Sequence, residues 1–129
     1  MADPIVFVSH SAIKQGQLDG LRAFLRAGAK ALNEEKPGTV AFLAYLDESA
    51  ESVSIVHVFP SAEAMTAHLE GVEQRSAAAD TFIETRGYEI YGPPDERVLG
   101  MMRAFAERSG VPLEVHPEYV GGYLRLHRG

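Results

Sequence analysis

The chain has 129 residues, a formal net charge of −6 and no cysteine, which favours one self-sufficient domain and excludes disulfide bonds, thiolate metal sites and cysteine nucleophiles. Its negative charge argues against a nucleic-acid partner, because binding to a phosphate backbone requires a basic surface. No stretch approaches the roughly 20 apolar residues that cross a bilayer, and the N-terminus lacks the features of a signal peptide, so we expect a cytoplasmic protein.

The first part of the chain predicts a strand, a helix and a second strand. Residues 4–13 begin with β-branched and aromatic side chains, which are typical of a strand. A helix is expected next, because five residues recur on one helical face: Leu18, Leu21, Leu25, Gly28 and Leu32. The Pro37-Gly38 pair ends this helix, and residues 39–46 predict the second strand.

The following segment repeats this order of elements. Residues 52–59 predict a third strand, which a polar connection of hairpin length joins to the second. Ser61 is placed to cap a helix. The apolar face of that helix is expected to carry Met65, Leu69 and Val72. A second helical stretch is predicted at residues 75–84 and a fourth strand at residues 86–92.

The order strand–helix–strand, given twice, predicts an α+β protein with a ferredoxin-like βαββαβ arrangement. Its antiparallel sheet would carry both helices on one face. We assign residues 1–92 to this domain. Residues 93–129 are interpreted as a C-terminal extension, with a helix at 95–110 and two short strand-like pieces, that packs on the same domain or on a partner subunit.

Both faces of the predicted sheet are apolar. Along the third strand Ile55, His57 and Phe59 point one way, while Val56 and Val58 point the other way. Helices can cover only one of these faces. Because an exposed apolar sheet face is costly in water, the pattern predicts that the uncovered face pairs with a second copy in a homodimer.

Three segments of this core occur in the order found in a known family. They are Lys14-Gln15-Gly16 after the first strand, residues 36–40 (KPGTV) at the entry to the second, and VHVFPSAEAMTAHL at 56–69. In this respect the chain resembles the antibiotic biosynthesis monooxygenases, which are small dimeric α+β barrels. The resemblance implies oxidation of a small aromatic or quinol-type compound by molecular oxygen, with no metal, haem or flavin cofactor.

The resemblance also implies two catalytic histidines. A phenol must lose a proton before its anion can pass an electron to oxygen, and an imidazole with an ordinary pKa of about 6.5 suits that task. His57 stands where the family often has a glutamate and is predicted as the base, while His68 matches the histidine of the family's AHL segment. The structural alternatives are a satisfied histidine inside the sheet for His57 and a helix-edge or dimer contact for His68.

Substrate contacts are predicted from four residues of the second and third strands, namely Phe42, Tyr45, Ile55 and Phe59. No metal site is predicted, because His10, His57 and His68 lack a metal-ligand spacing. One alternative function is a non-catalytic dimer that binds a small apolar ligand or serves as a stress-response accessory. Another is haem binding, although the chain lacks the histidine, asparagine and tryptophan set of the related haem-degrading barrels.

Overall fold

A computed structural model describes residues 2–125, which form one five-stranded sheet and four helices. The sheet has the order β2-β3-β1-β4-β5. The elements are β1 (Ile5–Ile13), α1 (Leu18–Glu35), β2 (Ala41–Asp47), β3 (Ser52–Phe59), α2 (Ala62–His68), α3 (Val72–Ala79), β4 (Ile83–Tyr91), α4 (Glu96–Ser109) and β5 (Leu113–His116). β5 pairs with β4 in parallel, and the other three pairings are antiparallel. The predicted α+β, ferredoxin-like fold is therefore confirmed.

Local sequence signals account for the starts of α2 and α4 and for the end of α4. The Ser61 hydroxyl accepts a hydrogen bond of 3.1 Å from the Ala64 backbone N–H at the start of α2. At the start of α4, the Asp95 carboxylate accepts a hydrogen bond of 2.8 Å from the Arg97 backbone N–H. These side chains satisfy N–H groups that have no partner within the helix. α4 ends at Gly110, whose φ of 67° is the left-handed conformation that glycine adopts without strain.

The segment between β3 and β4 differs from the prediction. α2 ends at His68, and Val72 begins a separate helix because Gly71, with a φ of 79°, turns the chain. The helix expected to reach residue 84 stops at Ala79. Ile83 instead pairs with β1 and begins β4, three residues before the expected start. Pairing along β1 therefore outweighed a weak helical pattern, and β-branched Ile83 suits a strand.

The core lies between the sheet and the helices. Buried side chains of β1, β3, β4, α2 and α4, together with Leu69 directly after α2, form one cluster, consisting of Ile5, Phe7, Phe59, Met65, Leu69, Ile90, Val98 and Met102. Full burial of such a side chain contributes about 1.5–3 kcal/mol. Since Val98 and Met102 belong to α4, this helix packs into the same core as the strands.

The segment after β4 adds a strand and a non-regular stretch to the domain. β5 lies beside β4, with Leu113 opposite Tyr88 and Val115 opposite Ile90. Residues 117–125 form neither helix nor strand, so the second predicted strand-like piece is not formed there, and its remainder lies outside the described residues. Between residues 2 and 125, no helix has the length and apolar character needed to cross a membrane.

The pairing of β1 with β4 contains a β-bulge. His10 lies opposite Gly87, and the next residue, Ser11, lies opposite Thr85. Arg86 is therefore an extra residue on β4 that has no counterpart on β1. Such a bulge bends the strand and increases its local twist.

The sheet face that points away from the helices, called here the outer face, is apolar and partly open. Val6, Val56 and Val58 are half-buried there. Leu43 and Tyr45 of β2 are 45% and 59% exposed. Apolar surface of this kind more often belongs to an interaction site than the rest of a protein surface does.

Candidate functional site

A cavity of about 380 Å³ lies between the inner face of the sheet and the helices. This volume is within the range of small-molecule sites. Its walls are mostly apolar and include Phe7, Phe24, Phe42, Ile55 and Phe105. An aromatic or otherwise apolar ligand would therefore be dehydrated on entry, which strengthens its electrostatic interactions with the few polar groups of the wall.

Small residues on facing elements leave this space open. On α1, Gly28 lies on the wall, and a β-carbon built on it would meet no atom within 4 Å. On β1, Ser9 and Ser11 face the same space, and α3 contributes Ala78 and Ala79. Protein interiors are normally close-packed, so a void of this size needs such a gap in the large side chains.

His57 lies on β3 with its ring among aromatic side chains. It is only 7% exposed. The ring stacks on Phe7 at 4.9 Å and meets Phe42 edge-on at 5.1 Å between ring centroids. Its Nδ1 is 3.1 Å from the Phe7 carbonyl oxygen, which can only accept a hydrogen bond. Nδ1 therefore carries the proton, and the neutral ring has its lone pair on Nε2.

His68 is brought to the same place by α2. It is 3% exposed, and its ring centroid lies 5.2 Å from that of His57 in an edge-on arrangement. Its Nδ1 is 2.7 Å from the Thr39 hydroxyl oxygen. Because a hydroxyl both donates and accepts, Thr39 permits either neutral tautomer of His68.

The Nε2 atoms of both histidines face the cavity. Within residues 2–125, every side-chain nitrogen or oxygen that is sealed from solvent has a hydrogen-bond partner. Neither Nε2 atom has such a partner in that part of the chain, so neither atom is sealed. Both residues line the cavity, which is therefore the space that these nitrogens reach.

Both imidazoles are neutral at pH 7. Burial lowers the pKa of His57 to about 4, although its hydrogen bond to the Phe7 carbonyl opposes the shift. Burial is the main cause that lowers the pKa of His68 to about 3; the charge that a protonated His57 would carry and the positive charges of Arg75 and Lys36 act in the same direction. Loss of hydration disfavours the charged form of a histidine, which explains the direction of both shifts.

Two cations hold the end of α2 that carries His68. Lys36 Nζ donates to the carbonyls of Ala67 (2.9 Å) and Glu70 (3.2 Å). The Arg75 guanidinium donates to the carbonyls of Glu70 (2.8 Å) and His68 (2.6 Å). Positive charge is favourable at a helix C-terminus, where carbonyl groups lack helical partners. Arg75 thus fixes the His68 carbonyl directly, and Lys36 fixes the backbone on both sides of it.

The four predicted substrate contacts do not all reach the cavity. Phe42 and Ile55 line it. Phe59 is fully buried beside His68, with ring centroids 5.2 Å apart, so it supports the histidine from the core. The structure separates Tyr45 from this group, because Tyr45 lies on the outer face of β2 and is largely exposed.

His10 lies on the outer face, within a chain of polar contacts that crosses the sheet. Its Nδ1 is 3.0 Å from the Ser54 hydroxyl, and its Nε2 contacts the Glu89 carboxylate. The Tyr91 hydroxyl donates to Glu89 at 2.5 Å, and its ring stacks on His116 at 5.0 Å. The hydrogen bonds from Tyr91 and His10 lower the pKa of Glu89. This cluster is separated from the cavity by the sheet.

Sequence reasoning missed three hydroxyl groups on the inner face. Ser9, Ser11 and Thr85 all line the cavity. The sequence contains a signal for Ser9 and Ser11, because residues two and four positions after Phe7 on a strand point to the same face of the sheet as Phe7.

In the part of the chain described here, no group of three or more His, Cys, Asp or Glu side chains is arranged to hold a metal ion. The polar side chains of the cavity wall are thus the two imidazoles, several hydroxyls and, near the histidines, Glu35 and Arg75.

Comparison with solved structures identifies proteins of the same fold. MupZ from Pseudomonas fluorescens superposes with a TM-score of 0.71 over 95% of each chain, at 14% identity. A candidate antibiotic biosynthesis monooxygenase from Chloroflexus aurantiacus covers 68% of this chain and 90% of its own, with a TM-score of 0.55 and 22% identity. SnoaB from Streptomyces nogalater, a cofactor-independent oxygenase, covers 73% and 96%, with a TM-score of 0.57 and 15% identity. No protein-family model and no curated protein matches the chain.

These likenesses concern the fold, and they confirm at that level the resemblance seen in the sequence. They also differ in extent. The match to MupZ covers 95% of this chain and so includes much of the segment after residue 92. The matches to the candidate monooxygenase from Chloroflexus aurantiacus and to SnoaB cover 68% and 73% of it.

Proposed function

We propose that this chain, which has the fold of the antibiotic biosynthesis monooxygenases, is a cytoplasmic, cofactor-independent oxygenase of a small phenolic or quinol-type compound. One observation carries the proposal: two neutral imidazoles, His57 and His68, direct their Nε2 atoms into an apolar cavity large enough for an aromatic ligand. Such a site combines proton acceptance with exclusion of water, which are the two requirements for oxidising a phenol through its anion.

His57 is the proposed base. Its Nδ1–H is held by the Phe7 carbonyl, so Nε2 has a lone pair available for the proton of a bound phenol. Its low pKa describes the empty cavity, where an imidazolium would lack a negative partner. A phenolate formed beside Nε2 supplies that partner and raises the pKa of the imidazole. The proton is therefore transferred within an ion pair that forms only when substrate is bound.

His68 is the proposed hydrogen-bond donor to the substrate. If the Thr39 hydroxyl donates to Nδ1, then Nε2 of His68 carries the proton and can donate it toward a phenolate oxygen. A donor aimed at the position where negative charge develops stabilises the transition state without reorganisation. The two histidines would then act as acceptor and donor on the same substrate oxygen.

The oxidation itself needs no external reductant. The substrate anion passes one electron to oxygen, and the resulting radicals combine to form a carbon–oxygen bond. The hydroperoxide then loses water, so that a ring CH₂ group of an anthrone-type compound becomes a carbonyl. One oxygen atom enters the product, and the other leaves in water with the two hydrogens of that carbon.

Oxygen consumption with a panel of hydroquinones and anthrone-type phenols tests this function. We expect His57→Ala and His57→Gln to reduce the rate by about 10²–10⁴-fold, the usual effect of losing a general base. The Gln variant fills more of the space left by the imidazole. His116→Ala, at an exposed position of β5 that lines neither the cavity nor the surface of β1–β3, is the control and should retain the wild-type rate. An equal rate in wild type and both His57 variants would contradict the assignment.

The low pKa values also favour a second candidate function, non-catalytic binding of a small apolar ligand. A histidine that stays neutral at pH 7 can accept a hydrogen bond without ever taking up a proton. Both functions require ligand binding in the cavity. Saturable binding of phenols without oxygen consumption by any member of the panel would favour this second function.

We also propose a homodimer that forms through the outer face. Its support is the apolar surface of β1, β2 and β3, on which Leu43 and Tyr45 are the most exposed large side chains. In a twofold-symmetric dimer the same surface of both copies is buried, so each exposed apolar residue contributes its buried area to the interface twice.

A charge placed on the outer face should prevent this association. We expect Leu43→Lys to raise the dissociation constant of the dimer by about 100-fold or more, because an unpaired charge would be buried in each subunit. Ala27→Lys, on the exposed side of α1, adds the same charge elsewhere and is the control. Light scattering coupled to size-exclusion chromatography measures the mass. A monomeric wild type, or an unaffected Leu43→Lys variant, would contradict the proposed interface.

A further inference from the structure

We infer that the cavity has a second recognition site at the end opposite to the histidines, where Ser9, Ser11 and Thr85 bind a neutral oxygen atom of the ligand. These three residues are called here the hydroxyl end. The inference rests on the proposed function for the part of the ligand that meets His57. It adds a specificity-determining contact far from the reacting oxygen.

The strand register places the two ends apart. Phe7 of β1 lies opposite His57 of β3. Ser9 follows two residues later on the same face of β1, and Ser11 follows four residues later. At about 3.3 Å per residue, Ser9 is about 7 Å and Ser11 about 13 Å from the histidine row. The bulge then sets Thr85 of β4 directly opposite Ser11, so two hydroxyls meet in one row.

The hydroxyl groups are available to a ligand. Ser11 is only 5% exposed. Its hydroxyl, like those of Ser9 and Thr85, has no side-chain hydrogen bond among the residues from 2 to 125. Since every sealed polar side-chain atom of that region has a partner, the three hydroxyls are not sealed. All three residues line the cavity, and Ser11 also borders a second pocket. A buried hydroxyl gains free energy when a ligand atom satisfies it.

The surroundings select a neutral ligand group. The charged side chains of the cavity wall are Glu35 and Arg75. Glu35 closes α1, and Arg75 donates to the His68 carbonyl, so both belong to the histidine end. At the hydroxyl end Ile83 lines the cavity instead, two residues before Thr85 on the same face of β4. Ser11 also borders a second, more polar pocket, whose charged side chains balance in sign: Lys14, Glu51, Glu84 and Arg86. A carboxylate or phosphate would therefore lose its hydration there without meeting net positive charge, which is costly. A carbonyl or hydroxyl oxygen fits.

These constraints define a class of ligand. A single-ring phenol that meets His57 would leave the hydroxyl end without a partner. A compound of two or three rings can span the distance, with a phenol at one end, an apolar middle and a second neutral oxygen at the far end. We therefore assign the cavity to extended aromatic compounds that carry an oxygen at each end.

Anaerobic titration calorimetry with a matched pair of probes tests the assignment without any turnover. The probes are para-phenylphenol and para,para-biphenol, which differ by one hydroxyl at the far end. Wild type should bind the diol about 3- to 10-fold more tightly, the contribution of one hydrogen bond. The double variant Ser11→Ala, Thr85→Val keeps only Ser9 at this end, so its preference for the diol should fall to about twofold or less, the statistical effect of the two equivalent hydroxyls of the diol.

Two further variants make the result specific. Ser76→Ala removes a hydroxyl from another part of the cavity wall and should leave the preference for the diol unchanged. Thr85→Ser keeps a hydroxyl with little change in packing, so this variant should fold and retain the preference for the diol. It supplies a second measurement if the double variant folds poorly. A preference of about twofold or less in wild type, or a larger preference that survives in a folded double variant, overturns the hydroxyl end but leaves phenol binding at His57 intact. If neither probe binds to wild type, both this inference and the premise of a phenol-binding cavity fail.

Discussion

The protein is expected to lose stability steeply as the pH falls from 6.5 to about 4. His57 and His68 have an ordinary pKa of 6.5 when unfolded, and burial lowers their pKa values in the folded protein to about 4 and about 3. Above pH 6.5 both states are neutral at these positions, so neither histidine affects stability. Below it, the unfolded chain binds protons that the folded protein does not, which costs about 1.4 kcal/mol per pH unit for each histidine.

Urea unfolding at a series of pH values measures this effect. The free energy of unfolding of the wild type should fall by up to about 2.7 kcal/mol per pH unit in this window, where both histidines contribute. His57→Gln and His68→Gln should each remove about half of the slope, and the double variant should remove it. A free energy of unfolding that does not change between pH 6.5 and pH 4 would show that these imidazoles are not buried as neutral groups.

Gly28→Leu is expected to stabilise the protein and to abolish ligand binding. Glycine is unfavourable inside a helix by about 1 kcal/mol relative to good helix formers. At Gly28 the added side chain has open space in front of it, since a β-carbon there meets no atom within 4 Å. The leucine would enter the cavity and bury apolar surface, so we expect a gain of about 1–3 kcal/mol.

Gly100→Leu is the matched control for this change. Gly100 lies in α4, is exposed and has open space around a built β-carbon, but it does not line the cavity. The Gly100→Leu variant should gain helix propensity while it keeps the wild-type affinity for para-phenylphenol. Calorimetric titration and thermal unfolding of both variants supply the comparison. Wild-type affinity in a folded Gly28→Leu variant would show that ligands bind elsewhere.

Much of the fold could be predicted because local and long-range signals agree. Ser61 caps α2 as expected, and the helical spacing of leucines along α1 is sustained over the whole element. The error at residues 80–84 arose where these signals disagree. Alanines before Phe82 favour a helix, but the decisive partner of Ile83 is Ile13, which is far away in the sequence. Strand pairing between distant segments is not visible in a local pattern.

The candidate site could be predicted only in part. The sequence singled out both histidines, but only the packing of α2 on the sheet brings their rings to 5.2 Å. Their low pKa values follow from burial, which a sequence does not contain. The position of Tyr45 could have been deduced, because Phe42 and Tyr45 are three residues apart on one strand and must point to opposite faces. Ser9 and Ser11 were missed because serines on a strand carry no distinctive motif.

The bulge at Arg86 has a consequence for changes in chain length. β4 is one residue longer there than the part of β1 with which it pairs. A deletion of Arg86 would restore a regular ladder and leave Thr85 and Gly87 on their present sides. A deletion two positions earlier, at Glu84, would turn Ile83 from the inner to the outer side of the sheet. β4 can thus lose Arg86 without exchanging its inward and outward side chains. Insertions and deletions should therefore affect the stability of the fold much less at Arg86 than elsewhere along β4.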